Sequence, residues 1–190
     1  VQQLESKWVH FDVSDGKFNP VRTWNESGDL ISYPNLSIEV HLMVEDFEVY
    51  VEQWVKIAKR VIVHVEALKD FDVSIFRDSF VLKYSEVEFG LAVRPETDIR
   101  EVYPYLETIR FVQFLAVQPG FSGGVFQKEV IEKICTLRSQ DKDVIIEVDG
   151  GIDAMVAPLV RDAGANIIVS SSYLWKSKSP VEAFRILQSV

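Results

Sequence analysis

Residues 8–13 read Trp-Val-His-Phe-Asp-Val, a run in which polar and apolar side chains alternate. Successive side chains of a strand point to opposite faces, so His10 and Asp12 share one face while Val9, Phe11 and Val13 share the other. Short runs rich in Val, Ile and Phe recur at 38–43 (IEVHLM), 61–65 (VIVHV), 87–93 (VEFGLAV), 110–117 (RFVQFLAV), 144–149 (VIIEVD) and 167–171 (IIVSS). Amphipathic segments lie between them. Phe47, Val51, Trp54, Val55 and Ala58 recur at helical spacing over 47–59, as do Val130, Ile131, Ile134 and Leu137 over 128–138. Segments 97–107 and 181–189 carry related patterns, and Pro158 marks the first turn of a helix that starts late after Gly151. Strands alternating with helices imply a parallel sheet covered by helices. With no linker or low-complexity tract to divide it, residues 1–190 are expected to form a single domain.

The 190 residues are 47% hydrophobic and 26% charged, which suits one well-buried core and excludes disordered and collagen-like classes. No run of 18 apolar residues is present, so no membrane partner is expected. One cysteine and no visible secretory signal fit a reducing cytosol and a cytoplasmic location. The net charge of −9 argues against a nucleic-acid partner, since such binding needs a basic stripe. The densest basic spot, Lys56, Lys59 and Arg60, alternates with apolar residues as a helix end does. An acidic chain still binds phosphate locally, through backbone N–H groups and helix N-termini.

Two parallel architectures compete, an open doubly wound sheet and a closed (β/α)₈ TIM barrel. No GxGxxG follows the first strand, and polar residues recur at the C-terminal strand ends, where barrel active sites collect. Both observations favour the α/β barrel. Seven strands are visible where a closed barrel needs eight. Residues 1–7 resemble the tail of a helix, so the first strand is expected to be absent from this chain and to precede Val1.

Strand parity gathers polar groups on one side of this sheet. Glu39, His41 and Met43 share a face, as do Ile62, His64 and Glu66, and as do Glu147 and Asp149. With helices covering the Val and Ile faces, His10, Asp12, His41, His64 and Asp149 converge on the interior. A lone inward histidine is usually a hydrogen-bonded core residue. Two His and two Asp at strand ends form a mixed N/O set suited to Zn²⁺, Fe²⁺, Mn²⁺ or Co²⁺. Three turns at strand ends could cradle a phosphate: Gln118–Gly124, Asp149-Gly150-Gly151 and Ser170-Ser171-Ser172.

The segments Trp8 to Gly16 (WVHFDVSDG), His41 to Val44 (HLMV), Gln118 to Gly124 (QPGFSGG) and Glu147 to Ile152 (EVDGGI) resemble, in order and spacing, the signatures of the ribulose-phosphate 3-epimerase family. The resemblance runs over essentially the whole chain. It implies a (β/α)₈ barrel that binds one divalent metal ion, Zn or Fe(II) with Mn or Co as further candidates, through His10, Asp12, His41 and Asp149. It implies Asp12 and Asp149 as the catalytic acid/base pair. Asp12 removes the C3 proton in the ribulose-to-xylulose direction, a metal-stabilised cis-enediolate forms, and Asp149 reprotonates the opposite face. It further implies substrate and phosphate contacts at His41, Met43, Gly120, Ser122, Gly123, Gly124, Gly150, Gly151, Ser171 and Ser172. The partners implied are a small-molecule ketose phosphate and further copies of the chain, as a homo-oligomer.

The chain also departs from the family pattern. The serine of the family's first strand has no counterpart. Ser14 and Leu115 stand at two methionine positions, Ser171-Ser172 replaces a glycine-serine pair, and Gly124 replaces a glutamine. A six-carbon ketose phosphate such as allulose 6-phosphate, or a non-catalytic sugar-phosphate-binding barrel, are the alternative readings. Elsewhere, Trp8 and Trp54 are expected to pack between strands and helices, and Cys135 to be a small buried hydrophobe.

Overall fold

The computed structural model describes residues 4, 6–69, 71–118 and 123–190. Seven strands run in the order β1 (Trp8–Ser14), β2 (Ser37–Met43), β3 (Arg60–His64), β4 (Glu88–Val93), β5 (Phe111–Leu115), β6 (Ile145–Asp149) and β7 (Ile167–Val169). Each hydrogen-bonds only its sequence neighbour, and every pair is parallel. The sheet curls into a nearly closed barrel. Among the described residues no strand joins β7 to β1, and Leu4, Trp8, Leu174 and Leu187 line the gap.

Parity sorts the side chains as expected. Val61, Val63, Leu91, Val93, Ile146 and Val148 face outward into the main core. There they meet helix α1 (Phe47–Trp54), whose Phe47, Val51 and Trp54 lie at a helical spacing and are fully buried. Burying each such apolar side chain contributes roughly 1.5–3 kcal/mol. Trp54 also donates its indole N–H to Asn25 Oδ1 at 2.8 Å. The other α-helices among the described residues are α2 (Val73–Phe76), α3 (Glu129–Gln140), α4 (Val156–Ala163), α5 (Ser172–Trp175) and α6 (Pro180–Gln188). Pro158 lies in the first turn of α4, as its fixed φ favours.

Several expectations change. Segment 97–107 yields a 3₁₀ helix over Ile99–Tyr105 with Pro104 inside it, because proline has no N–H for an α-helical bond. Residues 4, 6 and 7 are irregular rather than helical. Ser6 Oγ donates to the Trp8 carbonyl at 2.9 Å, a local side-chain bond that competes with helix. Trp8 is 45% exposed, since β1 is an edge strand with no further strand beside it among the described residues. Cys135 is exposed, because α3 buries Val130, Ile134 and Leu137 and the next position turns away. Arg60 begins β3 instead of ending a helix, and it is buried.

Candidate active site

Register brings the inward polar residues to common heights. In the β1–β2 ladder His10 pairs with Glu39 and Asp12 with His41, and in β5–β6 Leu115 pairs with Asp149. The curl then carries β6 round to β1. His10 Nε2 lies 3.4 Å from Asp12 Oδ1 and 3.8 Å from Asp149 Oδ2. One ligand atom from each of His10, Asp12, His41 and Asp149 falls within 4.8 Å of all the others. The four expected ligands therefore form one cluster at the C-terminal end of the barrel.

His64, the third inward histidine, stands behind this cluster. Its ring nitrogen Nε2 is 2.8 Å from His41 Nε2, and its Nδ1 is 2.8 Å from Glu66 Oε2. Burial pushes the His64 imidazole down to about 4, so it is neutral near pH 7. Burial would raise Glu66, but hydrogen bonds from His64 and Thr97 and from the Arg94 amide hold it down at about 2. An ionised Glu66 only accepts, so His64 Nδ1–H donates to it and His64 Nε2 must accept from His41 Nε2–H. That leaves His41 Nδ1 as the nitrogen directed at the site, 2.9 Å from Asp12 Oδ1.

The donor set fits a divalent cation on independent grounds. His10 Nε2 is buried and has no hydrogen-bond partner. It faces carboxylate oxygens, as His41 Nδ1 does, so bare lone pairs confront one another in one small space. Buried acceptors aimed at acceptors need a positive charge between them. Two imidazoles and two carboxylates suit borderline first-row metals rather than Mg²⁺ or Ca²⁺.

Without such a charge the groups perturb one another. Burial would lower His10, but the carboxylates of Asp12, Glu39 and Asp149 around it raise it well above its ordinary value, so without a cation the ring itself takes up the compensating proton. Protein crowding would raise Asp12, yet the imidazoles of His10 and His41 hold it well below the usual carboxylate range. Asp149 is pushed up to about 6 by burial and by the charge of Asp12.

Above the cluster opens a cleft of about 210 Å³, lined by Asp12, Met43, Asp149, Gly123, Ser171 and Ser172 among others. Gly150 and Gly151 complete its rim at φ +105° and +68°, conformations that favour glycine. A Cβ on Gly151 would stand 2.8 Å from the Phe126 backbone nitrogen, so a side chain there is excluded by space as well. Ser14 and Leu115 also line the cleft, while Gly124 faces Val117 and is not among its lining residues. Gly120 and Ser122 lie outside the described residues.

Arg60 and Lys176 carry no site signal in the local pattern, and Glu39 is legible there only as an inward side chain. Glu39 and Arg60 form a buried ion pair beneath His10, and only the shared parity of Arg60 with Ile62 and His64 hints at it. Lys176 Nζ lies 3.2 Å from where a Gly123 Cβ would stand, which sets a cation at the rim. Its position four residues beyond Ser172, at the end of α5, is the signal available in sequence.

The acid response of the fold carries the mark of Glu66. Its contribution is complete above the ordinary value of 4.5 and is lost as pH falls toward about 2, because the unfolded chain binds the proton first. Glu66→Gln is therefore expected to flatten the dependence of stability on pH across that window. Urea unfolding midpoints measured in acid steps check this, and an unchanged slope would remove Glu66 from the acid response.

Fold and site together define a barrel enzyme centred on two carboxylates and two imidazoles beneath a glycine-rich rim. Residues 1–175 match the family model described as the ribulose-phosphate 3 epimerase family. The chain belongs to that family. It is 37% identical to a ribulose-phosphate 3-epimerase of Chlamydia pneumoniae over 98% of this chain and 84% of that protein. It is 32% identical to the one from Bacillus subtilis over 88% of this chain and 79% of that protein. Among solved structures, the 3-hexulose-6-phosphate synthase from Salmonella typhimurium superimposes with a TM-score of 0.70 at 12% identity, covering 99% of this chain and 88% of that one. That likeness shows the fold alone. Among the described residues no helix is long and apolar enough to cross a membrane.

Proposed function

We propose that this chain, as a single barrel domain, interconverts D-ribulose 5-phosphate and D-xylulose 5-phosphate by proton transfer at C3. The observation that carries the reading is the placement of Asp12 and Asp149. Each comes from a different strand, both line the cleft, and both belong to one cluster of potential ligand atoms.

The chemistry follows from that placement. Asp12 takes the C3 proton, and the electron pair left behind moves toward C2 to give an enediolate. Asp149 delivers a proton to the opposite face of C3, which inverts the centre. In the reverse direction the two carboxylates exchange tasks. A divalent cation held by His10, Asp12, His41 and Asp149 would supply positive charge where oxyanion charge develops. Gly123, Gly150, Gly151, Ser171 and Ser172 line the cleft and would present backbone N–H groups to the phosphate. Lys176 adds a compensating charge beside Gly123. Met43 packs against the substrate carbon chain.

The test is hydrogen exchange at C3, followed by NMR in D₂O. Deuterium entering C3 of ribulose 5-phosphate supports the reading without any coupling enzyme. Absence of exchange in folded, cation-loaded protein would remove it. Exchange confined to a six-carbon ketose phosphate would keep the chemistry and move the substrate, an outcome that Ser14 and Leu115 at the cleft wall make worth measuring.

A further inference from the structure

Beneath the ligand cluster lies a second layer of inward polar groups, which the proton-transfer chemistry does not use. Glu39 and Glu147 are almost fully buried there, as are Arg60 and Gln113. Glu39 touches both neighbours in the layer. Its Oε1 is 2.7 Å from His10 Nδ1, and its Oε2 accepts from Arg60 Nη1. Arg60 is held in turn. Its Nε donates to Glu88 Oε2 at 2.7 Å, and its guanidinium lies over the Phe111 ring at 3.9 Å and the Trp8 ring at 4.6 Å.

We propose that Glu39 and Arg60 are a positioning pair that holds His10 with Nδ1 protonated and its Nε2 lone pair aimed at the cation site. The reasoning is a hydrogen-bond account. A guanidinium cannot give up its proton, so a carboxylate paired with it stays ionised and can only accept. His10 Nδ1 must then be the donor in its contact with Glu39. The neutral ring keeps its one lone pair on Nε2, the buried atom left without a partner 3.4 Å from Asp12 and 3.8 Å from Asp149. Glu147 cannot substitute for Glu39, since its nearer oxygen is 3.9 Å from His10 Nδ1 and makes no hydrogen bond. Arg60 does not reach the cleft and acts only through Glu39. His41 is set from the opposite side by His64 and Glu66, so each imidazole of the cluster is fixed by a carboxylate behind it.

This inference rests on the cation reading above, and the experiment separates the two. Zn²⁺ affinity is measured by competition with a chelating dye, and Co²⁺ substitution reports the ligand field by its visible spectrum. Glu39→Ala alone would leave Arg60 buried without its partner and could unfold the chain, so the decisive variant is the double replacement Glu39→Leu with Arg60→Met. Exchanging both members of a buried ion pair for apolar groups is commonly neutral for stability. The double variant is expected to fold, to bind Zn²⁺ about 10–100-fold more weakly and to show a shifted Co²⁺ spectrum. Glu39→Asp is expected to recover most of the affinity, because it keeps the acceptor. A folded double variant with affinity within about twofold of the parent and an unchanged spectrum would overturn the proposal while leaving the cation reading intact. Failure of the parent protein to bind Zn²⁺ or Co²⁺ would overturn both.

Discussion

Asp149→Asn lowers the rate of interconversion of ribulose 5-phosphate and xylulose 5-phosphate by about 10²–10⁴-fold, the range over which a positioned acid or base acts. The substitution is close to isosteric, and the Asp149 backbone carbonyl that accepts from Ala116 N at 2.7 Å is unaffected. The fold should therefore survive, as a thermal melt would show. An amide can neither take nor give the proton at C3. The same change alters one of four candidate cation ligands, so cation content must be measured beside the rate. Loss of interconversion with the cation still bound assigns the loss to proton transfer. Unchanged interconversion would remove Asp149 from the reaction.

Stripping the cation with a chelator is expected to abolish exchange and to lower thermal stability, and adding Zn²⁺ or Fe²⁺ restores both. The cluster explains why. His10 Nε2 and His41 Nδ1 face the carboxylates of Asp12 and Asp149 within a few ångströms, and burial denies them water. A cation that binds only this folded arrangement stabilises it by linkage, by about 4 kcal/mol at a thousandfold excess over its dissociation constant. For a chain of this size that corresponds to roughly 8–16 °C in Tm. Full exchange from protein shown by elemental analysis to be cation-free would contradict the role given to the cluster.

Much of this centre is legible in the sequence, and particular residues show why. Alternation in WVHFDV, IEVHLM and VIIEVD places His10, Asp12, His41 and Asp149 on one face, because strand geometry has a period of two. What alternation cannot supply is depth. Arg60 follows two lysines closely enough to pass for a helix end, and its burial depends on Glu39 standing opposite it in the β2–β3 register. Cys135 and Trp8 failed for related reasons. A one-position turn of α3 and an unpaired strand edge are facts of packing, and local pattern does not contain them.

Taken alone, the amino-acid sequence determined the alternation of strands and helices, the face on which each polar residue sits, and the family, since all three rest on local order and spacing. Only the tertiary structure decided which polar residues meet. The distance from His10 to Asp149 joins β1 to β6, and it depends on how far the sheet curls. The His41–His64–Glu66 chain and the Arg60–Glu39–His10 chain depend on register between strands. Register and curl are set by the packing of the whole barrel against its helices, so no single segment encodes them.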